Sequence, residues 1–536
     1  MTAASPRSAA DAPSSQSSTP AAASALRPPV RLAPFVIGCA IAVAMWAIGY
    51  VTHLRQGLVP GPVVFLLLAA TFIAGSIWAG RVAAGLGGHA WRGGAVAAIV
   101  SAAINLLILG SLVRDDVPEG ADATAALRDF GIAAVVSFAV AAVLGAVAGI
   151  AGHRLLGPAR AATRSEQLPA DDLPAVDLPA DDLAAPWRHA MVVVACVATF
   201  FVVIAGGLVT STETGLAVPD WPNTFGSNMF LYPLERMTGG VYFEHAHRLY
   251  GALVGLCTVI SAVVLWTCGE RRGWVRIASI ITVVMVCLQG YMGGRRVTGN
   301  LTLSQDAADL APSTAYAIAH GVFGQVFFAT MVALAAVTSL GWLRAPWPRP
   351  TIARAGTARG ISVVLLALLF AQLLSGAGYR HLYTVNEKLP WPAHIHLTLA
   401  GVAVIVAWVA GIKAMSCTGP HDRPLRRTGH ALSMLVALQL VLGIAAFVAI
   451  LMRSDAPYAA EVLLATAHQA NGALVLVSGA LLVVWAHRLP AVAEQTADAD
   501  ADAPGAVAGR HAGVVEHQSD DSVNRADPAD SAAAST

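Results

Sequence analysis

The chain has 536 residues, of which 56% are hydrophobic and only 12% carry a charged side chain, with a formal net charge of +1. Soluble domains carry about 25% charged residues, so the composition excludes an ordinary water-soluble protein, and the near-zero charge argues against a nucleic-acid partner. The apolar residues form uncharged runs of roughly 17 to 25 residues, long enough to cross the hydrocarbon layer of a membrane. We therefore predict an all-α, polytopic protein that is integral to the membrane and surrounded by lipid.

The first part of the chain contains four of these runs between two polar segments. Residues 1–28 are rich in alanine, serine and proline, and we expect them to be disordered. The N-terminal membrane region, 29–155, gives no indication of its role, and an acidic, proline-rich linker, 156–187, follows it with the repeat QLPADDLPAVDLPADDLAAP. The four runs lie near 32–52, 63–80, 95–113 and 131–151.

Eight further runs follow, and their landmarks repeat. His247 and His396 are 149 residues apart, and the pairs Gln289/Gln439 and His320/His468 recur at almost the same offset. This indicates two homologous four-helix halves, 188–343 and 344–490, before a tail, 491–536, that we expect to be disordered. The eight runs lie near 191–209, 249–267, 277–294, 316–343, 361–379, 396–412, 431–452 and 462–486.

The orientation follows from the basic residues. Alternate loops carry arginine and lysine clusters, such as Arg271 and Arg272 or Arg426 and Arg427, and positively charged loops stay on the cytoplasmic side. With twelve spans, all these loops fall on one side. We therefore predict cytoplasmic termini and a plasma membrane of the bacterial type. Each half has an even number of spans, so both halves insert the same way round.

Four histidines are candidate metal ligands: His247, His320, His396 and His468. Each lies near the start of the second or fourth helix of a half, on the predicted outer side. A single histidine in a membrane helix is more often a packing residue, but four in register point to function. Two facing imidazoles can bind a haem iron between helices, whereas zinc is the weaker alternative because no cysteine or carboxylate cluster repeats with them.

The surroundings of the histidines differ between the halves. Glu244 and Arg248 accompany His247, whereas alanine and leucine stand at the matching positions 393 and 397 of the second half. The first site therefore looks equipped for chemistry and the second for holding a redox cofactor. The competing interpretation of Glu244 and Arg248 is a local i,i+4 ion pair at the membrane boundary. Both halves have a His-x-His pattern, which leaves the ligand open between His245 and His247, and between His394 and His396.

With these features the sequence resembles the haem A synthase family, the membrane enzymes that turn haem O into haem A. The resemblance covers residues from about 189 to 488. It rests on the segment GGLVTSTETGLAVPDWP after the first helix, the Glu-x-x-His-Arg signature at Glu244, His247 and Arg248, the Leu-Gln-x-x-x-Gly signatures near Gln289 and Gln439, and the later histidines.

The resemblance implies a role for each candidate residue. The substrate haem O would bind through His247 and His320, with Arg248 available to a haem propionate or to Glu244. A haem b cofactor would bind through His396 and His468, so that all four histidines are ligands of haem iron. Glu244 would be catalytic, beside the ring methyl that two hydroxylations and loss of water convert to a formyl group. Haem O synthase and terminal oxidase subunits are the partners implied, in cytochrome oxidase assembly.

Two departures from the family pattern and two competing functions remain. The first outer loop lacks the cysteine pair of some family members, and the four N-terminal spans lie outside the usual eight-helix pattern. A di-haem b-type electron-transfer protein that leaves its haem unmodified would need the four histidines but not Glu244. A transporter would hold no haem, and the sequence lacks the repeated mid-helix carboxylates that would favour it.

Overall fold

The computed structural model describes residues 28–54, 58–109, 123–159, 182–300, 302, 305–343, 352–384, 386–416 and 423–501. The all-α fold class is confirmed. The ends expected to be disordered, 1–28 and 491–536, and the predicted linker, 156–187, lie mostly outside these residues. The helices are α1 (Pro28–His53), α2 (Gly61–Gly85), α3 (Ala90–Leu109), α4 (Ala123–Leu156), α5 (Ala185–Ser211), α6 (Gly239–Thr267), α7 (Gly273–Thr298), α8 (Thr314–Thr338), α9 (Leu340–Leu343), α10 (Ile352–Leu382), α11 (Trp391–Ser416), α12 (Arg423–Met452) and α13 (Ala459–Ala501).

Each of the twelve expected spans corresponds to a helix. Within the described residues, eleven helices are long and apolar enough to cross a membrane, and α3 contributes a shorter apolar stretch, Ala90–Leu106. A helix satisfies its backbone hydrogen bonds internally, which is what a segment in lipid requires. The protein is therefore a multi-pass integral membrane protein.

The N-terminal bundle, α1 to α4, is packed through glycines. A Cβ atom on Gly94 of α3 would collide with the carbonyl of Gly145 on α4, and one on Gly80 of α2 would collide with Gly149. Small residues let helix backbones approach closely, which favours packing in lipid, where no hydrophobic effect drives helices together. Among the described residues of this bundle the buried polar side chains are Ser76, Ser101 and Asn105.

Helix α1 attaches the N-terminal bundle to the first half. Its apolar face shares one hydrophobic core with α5 and α6. Four side chains form an aromatic cluster at this contact: Trp46 and Tyr50 of α1, and Tyr242 and Tyr250 of α6, with ring centroids 5.3 to 5.8 Å apart. Tyr242 donates a hydrogen bond to the carbonyl of Tyr50 at 2.8 Å, and Tyr250 donates one to that of Trp46. The bundle and the first half are thus packed as one body.

The two halves meet along α5, α8 and α13. Val203, Phe328 and Val477 form a small apolar cluster there. Closer to the histidines, Gly207 of α5 faces Gln469 of α13, so that a Cβ on this glycine would stand 2.9 Å from Oε1 of the glutamine.

A long segment, residues 212–238, connects α5 to α6, and we call it the first outer loop. It contains a short antiparallel hairpin of β1 (Asn223–Thr224) and β2 (Ser227–Asn228), followed by two turns of 3-10 helix. The hairpin turn is fixed by Asp220, whose carboxylate accepts hydrogen bonds from the backbone N–H groups of Phe225 and Gly226 at 2.8 and 2.7 Å.

Candidate functional site

Each half brings its two predicted histidines close together, with their rings nearly perpendicular. The ring centroids of His247 on α6 and His320 on α8 are 6.1 Å apart, with the rings inclined at 82°. Those of His396 on α11 and His468 on α13 are 6.3 Å apart at the same angle. The repeat in the sequence is therefore accompanied by the same arrangement of two histidine rings in each half.

Both separations fit a single metal ion between the rings. An imidazole nitrogen binds a first-row metal at about 2 Å, which puts the centroids of two axial imidazoles roughly 6 Å apart. In addition, Nδ1 of His320 and Nδ1 of His396 each contact a backbone carbonyl at 3.1 Å, so that with the proton on Nδ1 it is Nε2 that can bind a metal. The donor set, two neutral imidazoles between apolar helices, suits haem iron.

The structure separates the two members of each His-x-His pattern. His245 of α6 is buried against the first outer loop, where its Nδ1 lies 3.0 Å from the hydroxyl of Thr224 and its ring packs on Tyr232. His394 is exposed on α11. His247 and His396 are thus the members that face a second imidazole.

Glutamines orient three of the four imidazoles. With the proton placed on Nδ1, His320 donates to the backbone carbonyl of Gln289 at 3.1 Å, and His396 donates to that of Gln372 at 3.1 Å. The side-chain amides of both glutamines donate back to the carbonyl of the same histidine, at 2.9 and 3.0 Å. The amide nitrogen of Gln439 lies 3.1 Å from Nδ1 and 3.3 Å from Nε2 of His468 and packs against that ring. The carbonyl contacts of His320 and His396 are of the kind that fixes the tautomer and the ring orientation of a metal ligand.

Glu244 and Arg248 form the ion pair that was the competing interpretation of the sequence. Oε1 of Glu244 lies 2.7 Å from Nη2 of Arg248, and its Oε2 accepts a hydrogen bond from the N–H of Val218 at 2.8 Å. Arg248 also donates to the carbonyls of Val218, Asp220 and Asn223, at 2.6 to 3.0 Å. The pair therefore fastens the first outer loop onto α6, beside His247.

Arg296, near the end of α7, was not predicted from the sequence. Its guanidinium lies against Gly215 of the first outer loop and within electrostatic range of Glu244, His247 and His320. Within the described part of the chain the side chain of Arg296 forms no hydrogen bond or ion pair. The sequence repeat could not reveal Arg296, because alanine stands at the matching position, 446, of the second half.

A charged cluster at the end of the molecule that carries the first outer loop joins the halves. Nη1 of Arg453, just after α12, lies 2.7 Å from Oε1 of Glu213 in the first outer loop and 3.5 Å from Oε1 of Glu461 on α13. Arg380 of α10 donates to the carbonyl of Thr210 on α5. The hydrogen bond from Arg453 lowers the pKa of Glu213 below its ordinary value, against the raising effect of partial burial.

Comparison with known proteins gives one family match and three similar proteins. Residues 189–394 match the COX15-CtaA family, described as a cytochrome oxidase assembly protein. The chain is 26% identical over 356 residues to heme A synthase of Rhodospirillum centenum, covering 56% of this chain and 88% of that protein. It is 23% identical over 356 residues to heme A synthase of Erythrobacter litoralis, covering 58% and 98%.

A third similarity involves another haem-modifying protein. The chain is 25% identical over 242 residues to protoheme IX farnesyltransferase of Haloarcula marismortui, covering 43% of this chain and 49% of that protein. The matched family segment contains Glu244, His247, Arg248, Arg296 and His320 and ends before His396.

Proposed function

We infer that this chain, which belongs to the haem A synthase family, is a membrane oxidoreductase that converts a methyl group of haem O to the formyl group of haem A. The observation that carries this is the pair of facing imidazoles in each half, at a separation suited to one iron. The alternative, a di-haem protein that leaves its haem unmodified, is not favoured, because the most similar relatives are named heme A synthases.

We propose different roles for the two halves. Haem O would be held as substrate between His247 and His320, and haem b as cofactor between His396 and His468. The assignment is supported by the charged residues Glu244 and Arg296, which accompany only the first pair. When bound, the cofactor haem supplies one-electron redox chemistry.

Glu244 is the residue we propose as catalytic. It lies three residues before His247, on the same side of α6, and its carboxylate is held by the Val218 N–H and by Arg248. A fixed carboxylate at this position can stabilise positive charge that develops on the reacting methyl, or accept its proton. The first outer loop, fastened by the same residues, would keep water away.

Arg296 is the residue we propose for a haem propionate. The donors of Arg248 are engaged by the loop carbonyls and by Glu244, whereas the guanidinium of Arg296 is unpaired within the described residues. A guanidinium binds a carboxylate bidentately through two parallel hydrogen bonds, and a charged group in a partly buried position gains most from such a partner.

We also propose the setting in which the enzyme works. The distribution of basic residues supports cytoplasmic termini in a plasma membrane of the bacterial type, with both haem sites toward the outer side. Haem O synthase and terminal oxidase subunits are the proposed partners; the similarity to protoheme IX farnesyltransferase agrees with a place beside the haem O source.

The test is product identification in a host that supplies haem O. Haems are extracted after co-expression and identified by mass, for the wild type, Glu244→Gln and Glu235→Gln. Glu235 is an exposed carboxylate of the same loop and serves as the control. We expect haem A from the wild type and from Glu235→Gln, and bound haem without formylated product from Glu244→Gln.

Two results would contradict the proposal at different levels. Normal haem A formation by Glu244→Gln would remove the catalytic role of Glu244 and leave the rest standing. A wild-type protein that stays colourless under every reconstitution would overturn the proposed function itself.

A further inference from the structure

Each of the four facing histidines packs the edge of its ring against a glycine of the preceding helix. A Cβ atom added to any of these glycines would stand too close to the ring, so that the imidazole would have to move. The distances from such a Cβ to Cε1 are 3.0 Å for Gly206 and His247, 3.0 Å for Gly293 and His320, 2.8 Å for Gly376 and His396, and 2.9 Å for Gly443 and His468.

In two copies a backbone carbonyl four residues before the glycine accepts a hydrogen bond from Nδ1 of the same histidine. Gln289 precedes Gly293 and Gln372 precedes Gly376 in this way, both at 3.1 Å. Val202, before Gly206, and Gln439, before Gly443, hold the same position in the other two copies, with their backbones near His247 and His468. The four copies lie on α5, α7, α10 and α12.

Helix geometry explains why the glycine lies four residues after the residue whose carbonyl faces the histidine. The carbonyl of residue i accepts the N–H of residue i+4, and the Cα–Cβ bond tilts toward the N-terminus of the helix. A Cβ on residue i+4 therefore leans over the carbonyl of residue i on the side from which the histidine approaches. Glycine leaves that carbonyl open to a second donor, which directs Nε2 of the ring away from the helix and toward a metal.

One copy of the four departs from the pattern. Three have glutamine before the glycine, and the amides of those glutamines bond to the histidine as well. The fourth has Val202, which carries no donor, and Nδ1 of His247 remains buried without a completed hydrogen bond. His247 is thus the least constrained of the four rings.

We propose that Gly206, Gly293, Gly376 and Gly443 are positioning residues for axial imidazoles, and that Val202 makes His247 the ligand that is most easily released. The inference rests on the proposed function, in which the first half must let its product leave while the second half keeps its cofactor. Three glutamine-fixed ligands retain haem, and one loosely held ligand permits exchange.

The first experiment compares two glycines of the same helix. Gly376→Ala is set against Gly360→Ala, because a Cβ on Gly360 of α10 meets nothing within 4 Å. Both proteins are purified in full length, and haem content, redox potential and the paramagnetic resonance spectrum of the low-spin haem are measured. For Gly376→Ala we expect about 10- to 100-fold weaker haem retention or a shifted spectrum, with Gly360→Ala like the wild type.

The results separate this inference from the proposed function. If wild type and Gly376→Ala hold the same haem with the same spectrum and potential, the positioning role is wrong although the function stands. If the wild type binds no haem, the function fails first. If Gly376→Ala is not monodisperse, Gly443→Ala, which crowds the other ligand of the same haem, gives the deciding measurement.

The second experiment adds the missing amide. Val202→Gln is compared with Val202→Leu, a residue of similar size without a donor, and the rate at which bound haem O transfers to an excess of apomyoglobin is followed by absorbance. We expect the glutamine variant to release haem O at least several-fold more slowly than the leucine variant. Equal rates in the two folded variants would overturn the role given to Val202.

Discussion

The guanidinium groups of Arg248 and Arg296 lie near the same histidine but have different surroundings. Arg248 is engaged by three backbone carbonyls and by Glu244, so its position depends on the loop rather than on a ligand. Arg296 has no such contacts within the described residues. Its charge is therefore available to an anion, and the anions of haem O are its propionates.

We predict that Arg296→Gln weakens the binding of haem O by about tenfold or more, the effect of losing a charge-assisted hydrogen bond. The measurement is a titration of the purified protein with haem O, followed by absorbance. Arg295→Gln is the matched control, since the neighbouring guanidinium stacks on Tyr316 at 5.5 Å instead. Equal loss of affinity in both variants would show that general charge, and not Arg296, attracts the substrate.

Among the helices, the attachment of α1 to α6 depends on the aromatic cluster. We predict that Trp46→Ala lowers the free energy of unfolding by about 3–5 kcal/mol, because it removes a large buried ring that packs on Tyr250 and donates to Asn105 at 3.0 Å. The thermal transition in detergent measures this. Trp78→Ala on α2 removes a tryptophan that is 50% exposed, and a change within about 0.5 kcal/mol is expected there.

A comparable loss from both tryptophan variants would contradict this attachment. It would mean that any tryptophan of the N-terminal bundle stabilises the protein equally, through lipid or detergent, rather than through the contact with α6.

The sequence is most informative where a residue type recurs. The spans could be predicted because lipid requires long apolar runs, and the ligand pairs could be proposed because histidines recur at matching positions, as with His247 and His396. Gln372 was missed because valine stands at its counterpart in the first half, position 202. A residue type that is present in only one of the two halves produces no repeat in the sequence.

Other features left no signal because they use backbone atoms or distant partners. Arg248 binds carbonyls of Val218, Asp220 and Asn223, and any residue carries a carbonyl. Tyr50 and Tyr242 meet across 192 residues of sequence, and nothing in the sequence around Tyr50 distinguishes it from a tyrosine that faces lipid. These contacts are set by tertiary packing, which periodicity and composition do not report.

For the whole molecule, the contact between Glu213 and Arg453 links the two halves beside the first outer loop. Because the pKa of Glu213 is lowered in the folded protein, the stabilisation is complete above the ordinary carboxyl value of 4.5 and is lost as the pH falls through the lowered value. We predict that Glu213→Gln lowers the melting temperature at neutral pH and that the difference from the wild type vanishes in acid.

Melting curves between neutral pH and about pH 3 test this, with Glu235→Gln as the control for loss of an exposed carboxylate. The effect is expected to be small, because the side chain of Glu213 is 48% exposed and solvent screens the pair. A difference between Glu213→Gln and the wild type that persists unchanged in acid would show that the contribution of Glu213 is not ionic.

The two adjacent glycines of α5 have a consequence for the distance between the two halves. Gly206 faces His247 of the first pair, and Gly207 faces Gln469, the neighbour of His468 in the second. Helix α5 thus borders both histidine pairs at one level through two residues that carry no side chain. A larger residue at either position would displace His247 or Gln469, so the spacing between the two proposed haem sites depends on this pair of glycines.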